Sequence, residues 1–272
     1  MKKNFVWSFF DLMNKKRITT VAGAWVYYFL TAFVPFVFLV VTAFGVFGVS
    51  LTRDFVSRLP IEFRSAGQKV IETAENSSKG ATIFFVIAVV FSCTNLLNQM
   101  SKDGDFIYEI QSKAKRGIFR RLWAIVALAM LFMLFLGAAF IFAFGNKALF
   151  SANSNQVLQL ILIILVFLFI ICLGYVIIIL LNMFISPIKQ SILGLALGSL
   201  ISLSIVVLGT IGFTLYLKFF ASYNAFYGSL AGVIIFLIWV YICMLGLVVG
   251  VIINTKIFNK SSQNKRNTYK RG

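Results

Sequence analysis

The side chains that usually carry catalysis are scarce in this sequence. It has no histidine among 272 residues, and its eight acids fall outside the predicted membrane spans. Histidine-based triads are therefore excluded, and metal-assisted hydrolysis lacks its usual clustered ligands. In the acidic cluster KDGDFIYE, Asp105 and Glu109 could share a helix face. A solvated ion pair between Glu109 and Lys113 accounts for this spacing better than a metal site does. We expect no metal, no cofactor and no enzyme activity.

Neutral polar side chains are what remain at membrane depth. Asn95, Asn98 and Gln99 recur at three- and four-residue spacing, so they share one helix face. Hydrogen bonding to a neighbouring helix is the simpler role for this face. The alternative, more specific role is to line a path for a polar headgroup or solute. Because no acid is expected within a span, the ionisable relay of proton-coupled transporters is not expected either.

A second polar spot is expected in WVYYFLTAFVPF, which runs from Trp25 to Phe36. Pro35 cannot donate to the carbonyl of Thr31, so the helix should kink and leave that acceptor free. Tyr27 lies four residues before Thr31 and shares its face. Either a neighbouring helix satisfies the carbonyl, or the spot forms part of a substrate pocket or gate.

The elements that must position these residues are membrane helices. The chain is 60% hydrophobic and only 12% charged, whereas soluble proteins carry about 25% charged residues. Uncharged apolar runs of more than about 18 residues indicate membrane spans. The sequence predicts an all-α integral membrane protein with six transmembrane helices, at about Thr20–Gly48, Ala81–Met100, Leu122–Gly145, Val157–Ile185, Ile192–Leu217 and Gly228–Ile253.

Charge placement gives the expected orientation and the domain bounds. The side of the membrane that holds both termini carries 18 of the 25 Lys and Arg residues, so both termini are predicted to be cytoplasmic. One transmembrane domain, 20–258, is expected between a cytoplasmic amphipathic segment, 1–19, and a disordered basic cytoplasmic tail, 259–272. Within it, 51–79 should be an external loop with surface amphipathic helices and 102–121 a basic cytoplasmic loop.

The net charge of +17 needs no nucleic acid to explain it, because topology accounts for it. Basic clusters beside a membrane also attract anionic lipid. We therefore assign a hypothetical headgroup site to five residues of the cytoplasmic loop: Lys113, Lys115, Arg116, Arg120 and Arg121.

Glycines at four-residue spacing recur in the last two spans. The pairs are Gly194 with Gly198, Gly228 with Gly232, and Gly246 with Gly250. Such pairs let helix backbones approach closely. Packing is the expected meaning, and oligomerisation through these faces is a hypothesis.

Two stretches resemble the YihY/BrkB family of bacterial inner-membrane proteins. AGAWVYYFLTAFVPF is similar to the family's opening pattern A-Y-Y-x-L-x-S-x-x-P at Tyr27, Tyr28, Leu30 and Pro35. YNAFYGSLAGVIIFLIWVYICMLGLVVG resembles its closing span, with Tyr227 and Trp239 in the Y-G-S and W-x-Y positions. The resemblance covers about residues 18–258. A hypothetical substrate-binding set therefore comprises Tyr27, Tyr28, Thr31, Pro35, Asn95, Asn98, Tyr227 and Trp239.

The resemblance implies six spans in a bacterial inner membrane and no settled activity. Some members carry a ribonuclease label, which this sequence argues against because the ligands and bases of a nuclease are absent. The family commonly ends its last span with G-A-E-L-N, but the acidic position here is Ile252.

We expect a permease or lipid-handling protein whose partners are membrane lipids and a lipid or small-molecule substrate. It has no phosphate-binding Gly-Lys loop and thus no ATPase of its own. The alternative is a membrane scaffold that binds partners of an envelope complex through its basic cytoplasmic segments.

Overall fold

Five long helices form the architecture. The computed structural model describes residues 14–47, 68–69, 72, 79–110, 156–188, 190–220 and 224–269. The helices are α1 Ile18–Phe47, α2 Lys79–Tyr108, α3 Gln156–Ile185, α4 Ile192–Phe220 and α5 Asn224–Tyr269. Each is long and apolar enough over part of its length to cross a membrane. The all-α membrane class is therefore confirmed for the described ranges.

Several predicted elements fall outside the described residues. The third predicted span, Leu122–Gly145, is outside the described residues, so six spans stay a prediction. Residues 1–13 of the amphipathic segment 1–19 and most of the loop 51–79 are also outside them, and so is 111–121 of the basic loop.

The helix ends follow from local chemistry. Glu109 takes a left-handed conformation, with φ 56°, directly after α2, and Ile110 donates its backbone N–H to the carbonyl of Asp105 at 3.1 Å. This is the cap expected where a helix stops. Helix α3 ends at Ile185, because the residue before Pro187 avoids helical angles. Ser191 then caps α4, since its Oγ accepts the N–H of Gly194 at 3.2 Å.

Large apolar side chains cover much of the helix surface. They are exposed along α2, α3 and α4, and examples are Ile83, Phe84, Ile87, Phe91, Phe167, Leu168, Leu208 and Ile211. Lipid is the medium in which such faces are stable, whereas soluble monomers rarely expose contiguous apolar patches of this extent. This surface supports a membrane location.

Helix contacts divide the chain into two compact units. The first comprises Met1–Tyr27, Leu96–Arg120 and Tyr175–Gly272, and the second comprises Tyr28–Asn95 and Arg121–Gly174. In the second unit Ala32 of α1 packs with Val89 and Cys93 of α2, and Phe36 covers them. The first unit holds the α4–α5 pair and the hydrogen-bonded polar side chains that concern function.

Two helices extend beyond their predicted ends. In α2, Met100, Gly104, Ile107 and Tyr108 are buried at the spacing of one helix face, so the helix continues through a segment predicted to be a polar loop. Helix α5 runs to Tyr269, so residues 260–269 are helical rather than disordered. No glycine or proline interrupts the sequence between Val251 and Tyr269, and its Lys, Arg and Gln residues favour helix.

Candidate functional site

The residues predicted to form a pocket in α1 are only partly enclosed. Tyr27 is 64% exposed, and Thr31 is also exposed. The hydroxyl of Thr31 donates to the carbonyl of Tyr28 at 2.8 Å, so it is satisfied within its own helix, as threonine hydroxyls in helices commonly are. Pro35 is half-buried inside α1, which continues to Phe47. The pocket hypothesis stays a prediction.

The other proposed substrate residues are spread along the chain. Asn95 is half-buried in the second unit, and Asn98 is half-buried in the first. Trp239 on α5 donates its Nε1–H to Thr210 Oγ1 on α4 at 3.2 Å and packs against Phe213. Tyr227 belongs to α5, but its side chain is outside the described part of the structure.

The hypothetical headgroup residues Lys113, Lys115, Arg116, Arg120 and Arg121 lie outside the described residues. Other cations nearby in sequence are described. Lys15 and Arg17 are exposed just before α1, and Lys102 is exposed on α2. Phe106, one turn after Lys102 on the same helix face, is 51% exposed. A cation and an aromatic ring are therefore displayed together near the end of α2.

A part-buried polar contact joins α1 to α2. Trp25 is fully buried, and its Nε1–H donates to Asp103 Oδ2 at 2.8 Å. Gln99 Nε2 donates to Asp103 Oδ1 at 3.1 Å from the preceding turn of the same helix. This bond lies within α2, so hydrogen bonding of Gln99 to a neighbouring helix stays a prediction.

Asp103 bears on the expectation that all acids lie outside the spans. The apolar segment of α2 that could cross a membrane is Ile83–Tyr108, and it includes Asp103 and Asp105. Sequence hydropathy missed this because Lys102, Asp103 and Asp105 lower the average. The feature that indicates the longer helix is the helical spacing of the buried residues Met100, Gly104 and Ile107, which alternate with these charged residues.

Residues 108 and 109 connect the end of α2 to three other segments. Gln190 Nε2, from the α3–α4 connection, donates to the hydroxyl of Tyr108 at 3.2 Å. The hydroxyls of Ser186, after α3, and of Thr255, on α5, also lie near Tyr108. Glu109 Oε1 lies 2.7 Å from Lys16 Nζ, which holds the pKa of that carboxyl below its usual value, with a further contribution from Lys15. Because α2 has ended at Tyr108, Glu109 does not share a helix face with Asp105.

Small residues allow the backbones of α4 and α5 to pack closely. A Cβ at Gly198 would collide with the carbonyl oxygen of Gly250, and a Cβ at Gly250 would collide with Ser202 Oγ. A Cβ at Gly246 would come within 2.9 Å of Ile205 Cγ2. The prediction that these glycines serve packing is confirmed for Gly198, Gly246 and Gly250, which are used within the chain.

Comparison with known proteins places the chain in a family. The family model described as Virulence factor BrkB matches residues 9–271. The chain belongs to the BrkB virulence factor family. It is 26% identical over 257 residues to a UPF0761 membrane protein of Haemophilus influenzae (strain 86-028NP), covering 91% of this chain and 93% of that protein. Family membership confirms the resemblance seen in the two end spans.

Two further relatives of this BrkB chain carry names that differ from each other. A UPF0761 membrane protein of Vibrio cholerae (strain ATCC 39315 / El Tor Inaba N16961) is 28% identical over 254 residues, covering 88% of this chain and 81% of the relative. The ribonuclease-like protein YfkH of Bacillus subtilis (strain 168) is 24% identical over 261 residues, covering 89% and 91%. No solved structure matches the chain.

The departure from the BrkB closing pattern lies in the buried part of α5. Ile252 occupies the acidic position and is fully buried. Asn254, the last residue of the same pattern, is also fully buried, and its Oδ1 accepts the N–H of Gly198 at 3.0 Å. Nearby, Asn182 Nδ2 of α3 donates to Ser199 Oγ of α4 at 2.9 Å. Neutral amides, rather than an acid, thus make the buried polar contacts around α4.

Proposed function

We propose that this BrkB family member is a permease or lipid-handling protein for amphiphiles with anionic headgroups. The observation that carries the proposal is the pair Lys102 and Phe106, an exposed cation one helical turn from an exposed aromatic ring. An anionic headgroup beside Lys102 would leave its acyl chains against the apolar side chains of α2. Lys15 and Arg17, exposed before α1, would add to the attraction for anionic lipid.

In this proposal the protein spans a bacterial inner membrane six times, with both termini in the cytoplasm. It performs no hydrolysis and binds no nucleic acid. The chain has no histidine, and from Ile110 to Gly272 it has no carboxylate, so a nuclease would lack its usual metal ligands and general base. The name of the Bacillus subtilis relative is therefore not carried over to this chain.

Lipids that co-purify with the full-length protein test the proposal. The triple variant Tyr27→Phe, Thr31→Val, Pro35→Ala removes the polar groups and the proline of the α1 pocket. Replacing the five basic residues 113, 115, 116, 120 and 121 with Gln removes the headgroup cluster. Tyr216→Phe, an exposed tyrosine on α4, is the matched control. We expect one anionic lipid to be enriched over the bulk membrane and lost in the first two variants, but retained in the control. Only bulk lipid in every sample would contradict the proposal.

A second candidate function is a scaffold for an envelope complex. It is favoured by α5, which continues about ten residues past the apolar segment Gly232–Asn259 and ends at Tyr269. A basic helix that projects from the membrane is a suitable surface for an acidic partner. Truncation after Asn259 distinguishes the two functions, because it should abolish a scaffold's activity and leave lipid enrichment unchanged.

A further inference from the structure

Over the described ranges of the chain, the side chains that donate hydrogen bonds to Asp103 are neutral. Both of its oxygens accept hydrogen bonds, from Trp25 Nε1 and from Gln99 Nε2. Among the described residues, no lysine or arginine forms an ion pair with it. The indole that contacts it is fully buried, so one side of the carboxylate faces protein rather than water.

Asp103 lies inside the segment of α2 that is long and apolar enough to cross a membrane. The candidate span Ile83–Tyr108 has its midpoint between residues 95 and 96. At about 1.5 Å per residue, Asp103 lies about 11 Å along the helix axis from that midpoint. Half of a typical hydrocarbon core is about 15 Å. Glu109, at about 20 Å by the same rise, lies beyond it.

In the part of the chain that the structure describes, Lys102 attracts the charge of Asp103 but forms no ion pair with it. Lys102 precedes it on α2 and is exposed. Lys16, before α1, is paired with Glu109. Asp105 lies two residues later on α2, and α3 contributes the apolar Ile185 beside Gly104. Ionisable groups at membrane depth are rare, and they mark proton relays and ion pathways in membrane proteins.

We propose that Asp103 is a proton-binding site of the membrane domain and that Trp25 responds to its protonation. A proton from the aqueous phase binds one carboxylate oxygen, which becomes a hydroxyl and loses its negative charge. The hydrogen bond from Trp25 then loses its charge assistance, which weakens the contact between α1 and α2. The role of this step in energy coupling rests on the proposed permease function, whereas proton binding itself does not.

A hydrophobic carbodiimide tests for the proton. A protonated carboxyl adds its oxygen to the central carbon of dicyclohexylcarbodiimide and its proton to a nitrogen. The adduct rearranges to a stable N-acylurea with no leaving group, so the peptide gains the mass of the reagent. A solvated carboxylate is ionised at neutral pH and does not react by this route. Full-length protein in detergent is treated at several pH values, and labelled peptides are mapped by mass spectrometry.

We expect label on Asp103 at neutral pH, and labelling should fall by about tenfold per pH unit above the midpoint, as a one-proton titration requires. Asp103→Asn should lose the label and Asp105→Asn should keep it. Exposed Glu109 is an internal control that should stay unlabelled. Label on Asp105 with none on Asp103 would overturn the proposal.

Trp25 fluorescence provides a second readout that needs no reagent access. In a Trp7→Phe, Trp123→Phe, Trp239→Phe background, Trp25 is the remaining tryptophan. We expect a pH-dependent step that is absent in Asp103→Asn and restored by Asp103→Glu. No step together with no label overturns the proposal. Neither readout involves lipid transport, so proton binding and lipid handling can fail separately.

Discussion

The side-chain oxygen Oδ1 of Asn254 lies 3.0 Å from the backbone nitrogen of Gly198 and accepts its hydrogen, which joins α5 to α4. Both residues are buried, and the contact is reached because neither Gly198 nor Gly250 carries a Cβ. The small residues and the amide are therefore parts of one arrangement, in which close approach of the backbones makes the hydrogen bond possible.

Gly198→Ala should destabilise the helix pair. The added Cβ would meet the carbonyl oxygen of Gly250, which is backbone and cannot rotate away. Overpacking of this kind typically lowers stability by about 1–3 kcal/mol. Thermal unfolding in detergent measures the change. Gly212→Ala on the same helix is the control, since nothing lies within 4 Å of its Cβ position and alanine is favoured in helices by up to about 1 kcal/mol. Equal melting temperatures for the two variants would contradict this account.

Trp25→Phe should weaken the contact between α1 and α2. The ring volume is largely kept, but Asp103 loses the donor that lies 2.8 Å from its Oδ2. Hydrogen bonds to charged groups contribute about 1.5–3 kcal/mol, so we expect a loss in that range at a pH where Asp103 is ionised. Trp239→Phe removes a longer bond, of 3.2 Å, to an exposed hydroxyl and should have the smaller effect on unfolding temperature. The reverse order of the two variants would count against the Trp25–Asp103 contact.

The Lys16–Glu109 pair predicts a small dependence of stability on pH. Lys16 and Lys15 lower the pKa of Glu109 relative to an unfolded chain, in which it is about 4.3. A lowered pKa means that the pair stabilises the fold above the unfolded value and that this stabilisation is lost as pH falls through the folded pKa. Glu109 is 65% exposed, so the contribution should be small.

Unfolding temperatures of wild type and Glu109→Gln between pH 3 and 7 measure this effect. Wild type should be the more stable protein at the upper end of that range, and the two curves should converge toward pH 3. A difference that grows as the pH falls would show that the pair does not act in this way.

Six spans with both termini in the cytoplasm predict a labelling pattern. In a background without the native cysteines, Ser65→Cys and Ser151→Cys should react with an impermeant maleimide added outside spheroplasts. Ser8→Cys and Ser261→Cys should react only after the membrane is opened. Labelling of Ser8→Cys or Ser261→Cys from outside would reject the orientation. Labelling of Ser151→Cys only after opening would reject a sixth span at Leu122–Gly145.

The sequence predicted the elements better than their contacts. Long apolar runs and glycine spacing indicated the membrane helices and the α4–α5 packing, because hydropathy and small-residue spacing depend on local composition. The end of α2 was misplaced, since three charged residues masked a buried face that continues to Tyr108. Trp25 was not singled out, because its partner Asp103 lies 78 positions away in sequence and only the fold brings them together.

The predicted pocket in α1 shows what residue spacing alone does not determine. Tyr27 and Thr31 share a helix face by their spacing, but spacing alone does not give the direction in which that face points. In the structure Tyr27 is largely exposed, and the Thr31 hydroxyl is bound to its own helix. Which helix or ligand covers this face depends on packing that no local pattern encodes.

Lipid movement across a bilayer is the most direct test of the proposed lipid-handling function. The full-length protein is reconstituted into vesicles that contain fluorescent phosphatidylglycerol in both leaflets, and an impermeant reductant is added outside. We expect inner-leaflet lipid to be reduced faster in vesicles that contain the wild-type protein than in protein-free vesicles. The Tyr27→Phe, Thr31→Val, Pro35→Ala variant should be slower than wild type, and Tyr216→Phe should match wild type. If the signal decays alike with wild type and without protein, this chain does not move anionic lipid.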